Sequence, residues 1–206
     1  MVERGRPNGL SNTMERTRSA IVTAARDLAD TGAEITMPAV AAHARVSEAT
    51  AYRYFPDLLS LLRASVMAED LVEVLRSATR GDDPVERIGQ AAEVLGRAVL
   101  RRQGAVRAVV ASTIAKPSAS KNRPAHRFGL IEHALAPWTE RCDPAHRAEV
   151  EQLVRGLALV ISAESLFALT DLCGLTPDDA IVSLATTARQ MTAAAVAAIP
   201  AAPAAD

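Results

Sequence analysis

Across the 206-residue chain, no segment alternates apolar and polar residues for long enough to propose a β-sheet. What recurs instead is a helix-start signal followed by apolar residues at helical spacing. Asp83-Pro84-Val85-Glu86 has the residues of a capping box, with proline at the first helical position. Asp143-Pro144 opens another such segment, expected to run to Cys173 before Gly174. Thr176-Pro177-Asp178-Asp179 opens the last, expected to end near Pro200. Composition points the same way. The chain holds 42 alanines and only 3% aromatic residues. Alanine is the best helix former, whereas aromatics favour strands. The fold expected is all-α, with about nine helices.

Several classes are excluded at this level. An apolar content of 49% is too high for a wholly disordered chain. No run of 18 apolar residues exists, so no membrane span is expected. The opening MVERGRPNGLSNTMERTR has no apolar core, so it does not read as a secretory signal. Cys142 and Cys173 read as free thiols of a reducing compartment, which places the chain in the cytoplasm. His43, His126, His133 and His146 show no metal spacing, and HExxH, GxxxxGK, CxxC and ExxH patterns are missing. No catalytic, metal or cofactor site is expected.

The net charge of −1 hides an asymmetry: Arg4, Arg6, Arg16, Arg18 and Arg26 face only Glu3 and Glu15 in the first 26 residues. A basic head on a mildly acidic body allows nucleic-acid contact at one end. Residues 1–12 read as a flexible arm, whose Arg4 and Arg6 either enter a minor groove or stay solvated. A first helix is expected from Thr13 to Thr31, with Ile21, Ala24, Ala25 and Leu28 as its buried stripe and Gly32 as its left-handed stop. Thr36 can cap a short second helix, and Ser47 a third running from Glu48 to about Phe55. After Pro56, a long fourth helix is expected from Asp57 to about Arg80, a lever joining head to body. Residues 201–206 should be a disordered tail.

Two short helices with a tight break between them make a helix-turn-helix. Geometry gives the motif its use: the first helix braces the second, which stands proud enough to enter a major groove about 12 Å wide. The second helix, EATAYRYF, is small and polar at its start and rich in tyrosine and arginine at its end. Small side chains permit approach to base edges, while hydroxyls and a guanidinium reach phosphates.

The run ITMPAVAAHARVSEATAYRYFPDLLSLL resembles the DNA-binding head of TetR-family transcriptional regulators. Thr36, Val40, Ala41, Ala44, Val46, Ser47, Tyr52, Phe55 and Leu61 match in register, and the resemblance extends over about residues 15–65. It implies an N-terminal helix-turn-helix domain over residues 13–65, and over 66–200 a helical domain for effector binding and dimerisation. Ser47, Glu48, Ala49 and Thr50 are then expected to face base edges, and Tyr52, Arg53 and Tyr54 the backbone and groove edge. Thr36 matches a phosphate contact. Phe55 is expected in the core. Glu48 either accepts from a cytosine amino group or belongs to the helix cap. Two positions depart from the family pattern. Arg45 replaces the turn glycine, which costs on the order of 1 kcal/mol if the backbone is left-handed, although its side chain can reach a phosphate. Leu58 replaces a lysine that contacts phosphate in the family.

The larger segment is expected to pair two chains through its last two helices. Leu153, Val154, Leu157, Val160, Ile161, Leu166 and Leu169 make the helix after Pro144 apolar nearly all round, so it needs more than one neighbour. Candidate effector liners are Met67, Leu71, Leu75, Phe128, His133, Trp138, Glu164 and Phe167, each of which also suits an ordinary core. Glu164, inside an apolar run, must be paired, ligand-facing or at the wet edge. The expected function is a homodimeric repressor of a pseudo-palindromic operator, released by a small, largely apolar effector. The alternatives are a helical dimeric interaction module or a small helical enzyme without DNA binding.

Overall fold

The structure, a computed structural model, describes residues 9–31, 34–115 and 126–200. The N-terminal arm up to residue 8, Gly32 and the 201–206 tail therefore lie outside the described residues. Among the described residues there are eleven α-helices and no strand. They are α1 (Gly9–Asp30), α2 (Met37–His43), α3 (Glu48–Tyr54), α4 (Leu58–Met67), α5 (Leu71–Ala78) and α6 (Pro84–Arg101). The series continues with α7 (Gln103–Ala115), α8 (His126–Thr139), α9 (Arg147–Val160), α10 (Ala163–Asp171) and α11 (Pro177–Ala198). A 3₁₀ turn at Pro144–His146 leads into α9. Among these residues no single helix is long and apolar enough to cross a membrane.

Three boundaries differ from those expected. The first helix begins at Gly9 rather than Thr13. The long fourth helix is two helices, because Asp70 starts a new one: its carboxylate accepts from the Val72 and Glu73 amides, both at 3.1 Å. Ala68 ends α4 just before it. The single lever from Asp57 to Arg80 does not exist. Likewise the helix from Pro144 to Cys173 breaks at Ile161-Ser162, where Ser162 accepts from the Ser165 amide at 3.1 Å and the axis turns by 45°.

The chain divides into two compact units: Met1–Glu69 with Arg102–Ala115, and Asp70–Arg101 with Lys116–Asp206. In the first, α1 to α4 bury Ile21, Ala25, Val40, Ala51, Phe55 and Leu61 in one core. Each large apolar side chain so buried contributes about 1.5–3 kcal/mol. On the far side of α4, Leu62 packs with Ala105 and Val109 of α7. Arg102, 6% exposed, ties α7 to the same unit by ion pairs to Asp30 at 2.9 Å and to Glu69. Burial works against its charge, but the bonds to Glu69 and Asp30 outweigh it and raise the pKa.

In the second unit α6 is the central element, packed on α5, α8 and α11. Gly96 lets α11 come close, since a Cβ there would stand 2.8 Å from Ile181 Cγ1. Gly156 does the same on α9, where a Cβ would meet the Met191 methyl at 2.7 Å. Arg87 of α6, 9% exposed, donates to the carbonyls of His133 and Ala134 on α8, at 2.7 and 2.8 Å.

Candidate nucleic-acid interface

The recognition element is built by caps. Thr36 Oγ1 accepts from the Ala39 amide at 3.3 Å and opens α2, with Pro38 in its first turn where no helical amide is needed. Ser47 Oγ accepts from the Thr50 amide at 3.2 Å and opens α3. Between them the chain reverses in a Schellman motif. The Val46 amide donates to the Ala41 carbonyl at 3.0 Å and the Arg45 amide to the Ala42 carbonyl at 3.1 Å. Val46 turns in against the core, the apolar contact this motif favours. The residue that must be left-handed is Arg45, and its φ is 56°. The backbone is thus the one the missing glycine would have taken, with an arginine bearing the cost.

With α2 packed on α3, one face of α3 is inward and the other bare. Ala51 and the following Phe55 are buried, so Phe55 is core, as expected. Glu48, Ala49, Tyr52 and Arg53 are exposed, while Thr50 and Tyr54 are half-buried. Ser47 Oγ and Thr50 Oγ1 lie 2.9 Å apart and share a hydrogen bond. The Arg53 guanidinium carbon sits 5.4 Å from the Tyr54 ring centroid, a cation–π contact that holds the charge beside the ring. Glu48 is the first residue of α3, where its charge suits the positive end of the helix; Ser47, not Glu48, makes the cap bond. Arg45 is exposed. Leu58, in the place of the family's lysine, is half-buried against the core and offers no cation. Thr36, Arg45, Ser47 to Thr50 and Tyr52 to Tyr54 therefore fall within one cap–helix–turn–helix segment.

Sequence reasoning missed the pair that ties α2 back to α1: His43 Nε2 stands 3.5 Å from Asp27. The two positions are 16 residues apart, so no helical spacing in the sequence links them.

The effector candidates do not all come together. Met67 lies in the first unit, 43% exposed, and the other seven lie in the second. Leu71 and Leu75 are buried on α5, which packs on α8, the helix of Phe128, His133 and Trp138. Trp138 is buried and Phe128 is 43% exposed. Burial, with the Arg87 and Arg76 charges, lowers the His133 pKa, while Glu73 opposes this. Phe167 is buried on α10. Glu164 is paired: Arg127 donates to it at 3.3 Å and also to the Ala158 carbonyl at 3.2 Å. Among the described residues, no cluster of three or more His, Cys, Asp or Glu has the geometry of a metal site.

Residues 20–64 match the family model of bacterial regulatory proteins, tetR family. No curated protein matches the chain. Among solved structures, it is similar to a tetR-family transcriptional regulator from Streptomyces coelicolor. The TM-score is 0.62 at 19% identity, covering 89% of this chain and 83% of the other. A TetR transcriptional regulator from Rhodococcus sp. RHA1 gives 0.59 at 21% identity, covering 87% and 97%. The multidrug binding protein EbrR, solved with imidazole, gives 0.50 at 19% identity, covering 91% and 96%.

Proposed function

We propose that the chain is a TetR-family transcriptional regulator, on the family match of its head, residues 20–64, and the likeness of its fold, and that it acts as a cytoplasmic, homodimeric, non-enzymatic repressor. Residues 13–65 read a pseudo-palindromic operator, and residues 66–200, apart from the Arg102–Ala115 segment that packs with the head, hold the dimer contact and a small, largely apolar effector that releases DNA. The observation that carries the reading is the bare face of α3, set between a side-chain cap and a Schellman turn. In this reading Ser47, Glu48, Ala49 and Thr50 face base edges, while Thr36, Arg45, Tyr52, Arg53 and Tyr54 hold the backbone and groove edge.

The dimer reading rests on α11. From Ala180 to Ala198 its one charged residue is Arg189, which turns inward to Glu86 and Glu93 of α6, at 3.7 and 3.2 Å. Val182, Thr186, Gln190, Ala193 and Ala197 face out, so beyond its acidic first turn the exposed side of this helix is uncharged. Leu159 on α9, at 74% exposure, and Leu172 after α10, at 85%, add apolar surface in the same unit. Such surface in a regulator with one reading head per chain suits a two-fold pair. The effector reading draws on the multidrug binding relative and on the apolar α5–α8 interior.

Selection of bound duplexes from a random pool, followed by mobility shift, tests the proposal. The selected sequence should be a pseudo-palindrome bound by two chains, with affinity falling at least about 10-fold between 50 and 200 mM salt. Arg53→Ala should weaken all duplexes alike and Thr50→Ala should relax base preference. Salt-independent binding, or one chain per operator, would overturn it.

A further inference from the structure

We propose that the groove between α1 and α4 is a binding site for a small amphipathic carboxylate, whose charged head is held by Arg18 and Arg26 and whose aliphatic part lies on Val22, Ala64 and Met67. The groove holds about 410 Å³, within the range of small-molecule sites. Arg18, Val22 and Arg26 line it at intervals of four residues, so they form one stripe of α1. The two arginines start roughly 12 Å apart along the axis, and long side chains from both can meet beside Val22 and Thr23.

The polar side of the groove is cationic and unmatched. Of the acids of α1, Asp27 faces His43 at 3.5 Å, Asp30 holds Arg102 at 2.9 Å, and Glu15, one turn before Arg18, makes no ion pair with it. Arg26 Nε is shut off from solvent and finds no acceptor. Arg26 as a whole is only half-buried and lines the groove, and no hydrogen bond or ion pair among the described residues engages its guanidinium, so its outer N–H groups are what an oxygen from outside meets. The Arg18 guanidinium carbon stands over the Phe55 ring, 5.2 Å from its centroid, a contact that gives its N–H groups no oxygen acceptor. The remaining wall is Ser19 and Thr23 on the α1 side, with Val22, Ala64, Ala68 and Met67, which is 43% exposed, as its apolar part. It offers methyl groups and no aromatic ring on which a base would stack, and methionine adapts to irregular aliphatic shapes. An anion with a short aliphatic body fits both halves. This site is separate from α3 and does not depend on the DNA-binding reading.

Methyl-¹³C methionine NMR on the full chain tests it, with decanoate as probe and the Met67 signal assigned through Met67→Leu. Decanoate should shift the Met67 methyl saturably, and decanol should bind at least about 10-fold more weakly. Arg26→Gln should weaken decanoate about 10-fold, and Arg26→Lys should recover most of that loss. Ala68→Trp, which fills the groove while leaving both arginines in place, should abolish the shift. An unmoved Met67 signal overturns the proposal. So does equal binding of decanol, or a normal decanoate response in Arg26→Gln or Ala68→Trp. If random duplex DNA shifts Met67 and decanoate does not, the groove is a DNA-backbone contact and the proposal falls, with the regulator reading intact.

Discussion

Pro137 lies inside α8 and has no amide hydrogen, so the carbonyl four residues earlier, on His133, loses its helical partner. Arg87 supplies the replacement from α6. Its Nη2 donates to the His133 carbonyl at 2.7 Å, Nε to that of Ala134 at 2.8 Å, and Nη1 to that of Gly81 at 3.2 Å. Arg87→Met should therefore remove charge-assisted bonds and orphan the half-buried His133 carbonyl, a cost of about 3 kcal/mol. At about 2–4 °C per kcal/mol for a chain of this size, Tm should fall by about 6–12 °C. Pro137→Ala restores an amide hydrogen to the same carbonyl. It should thus recover at least about 1 kcal/mol more in the Arg87→Met background than in the natural chain. Trp138, the only tryptophan and 7% exposed, adjoins the site and reports its unfolding by fluorescence, alongside far-UV circular dichroism. If the two substitutions add to within about 0.5 kcal/mol, Arg87 is not standing in for the proline's missing donor.

Arg45→Gly should stabilise the first unit by up to about 1 kcal/mol, because φ at this position is 56° and glycine removes the steric cost, offset in part by its freer unfolded chain; a lowered Tm would show that the Arg45 side chain contributes more than its backbone costs. The folded pKa of His133 lies below its ordinary value of 6.5, through burial first and then Arg87 and Arg76. Its contribution is thus fully present above pH 6.5 and lost as pH falls through the lowered folded value, so stability should decline on acidification in that window. His133→Gln should flatten the decline, and an unchanged pH profile would exclude the histidine as its source.

The head was legible because its signals are local. Thr36, Ser47, the apolar stripe of α1 and the αL position at Arg45 lie within a few residues of what they act on. The body was harder to read. The Asp70 cap was visible as an aspartate three residues before Glu73, yet the apolar pattern on either side read as one continuous helix. Ser162 hid in the same way inside an apolar run. Arg87 and Arg102 could not be placed at all, since their partners stand 46 and 72 residues away, at His133 and Asp30, and no periodicity links such positions. The groove between α1 and α4 escaped for a similar reason: Arg18 and Arg26 read only as general positive charge until Ala64 and Met67 were set opposite them.

The place of α7 bears on how such a reading head can be moved between proteins. The head is not one stretch of chain: Arg102–Ala115 belongs to it, although 32 residues of the second unit, Asp70–Arg101, are spelled out in between. A gene fusion cut after Glu69 would take α1 to α4 but leave behind the Ala105 and Val109 cover of Leu62, and would deprive Asp30 and Glu69 of Arg102. Recombination at a single crossover cannot transplant this head intact. A chimera that keeps the donor's α7, or that redesigns Leu62, Asp30 and Glu69 for water, is the one built to fold.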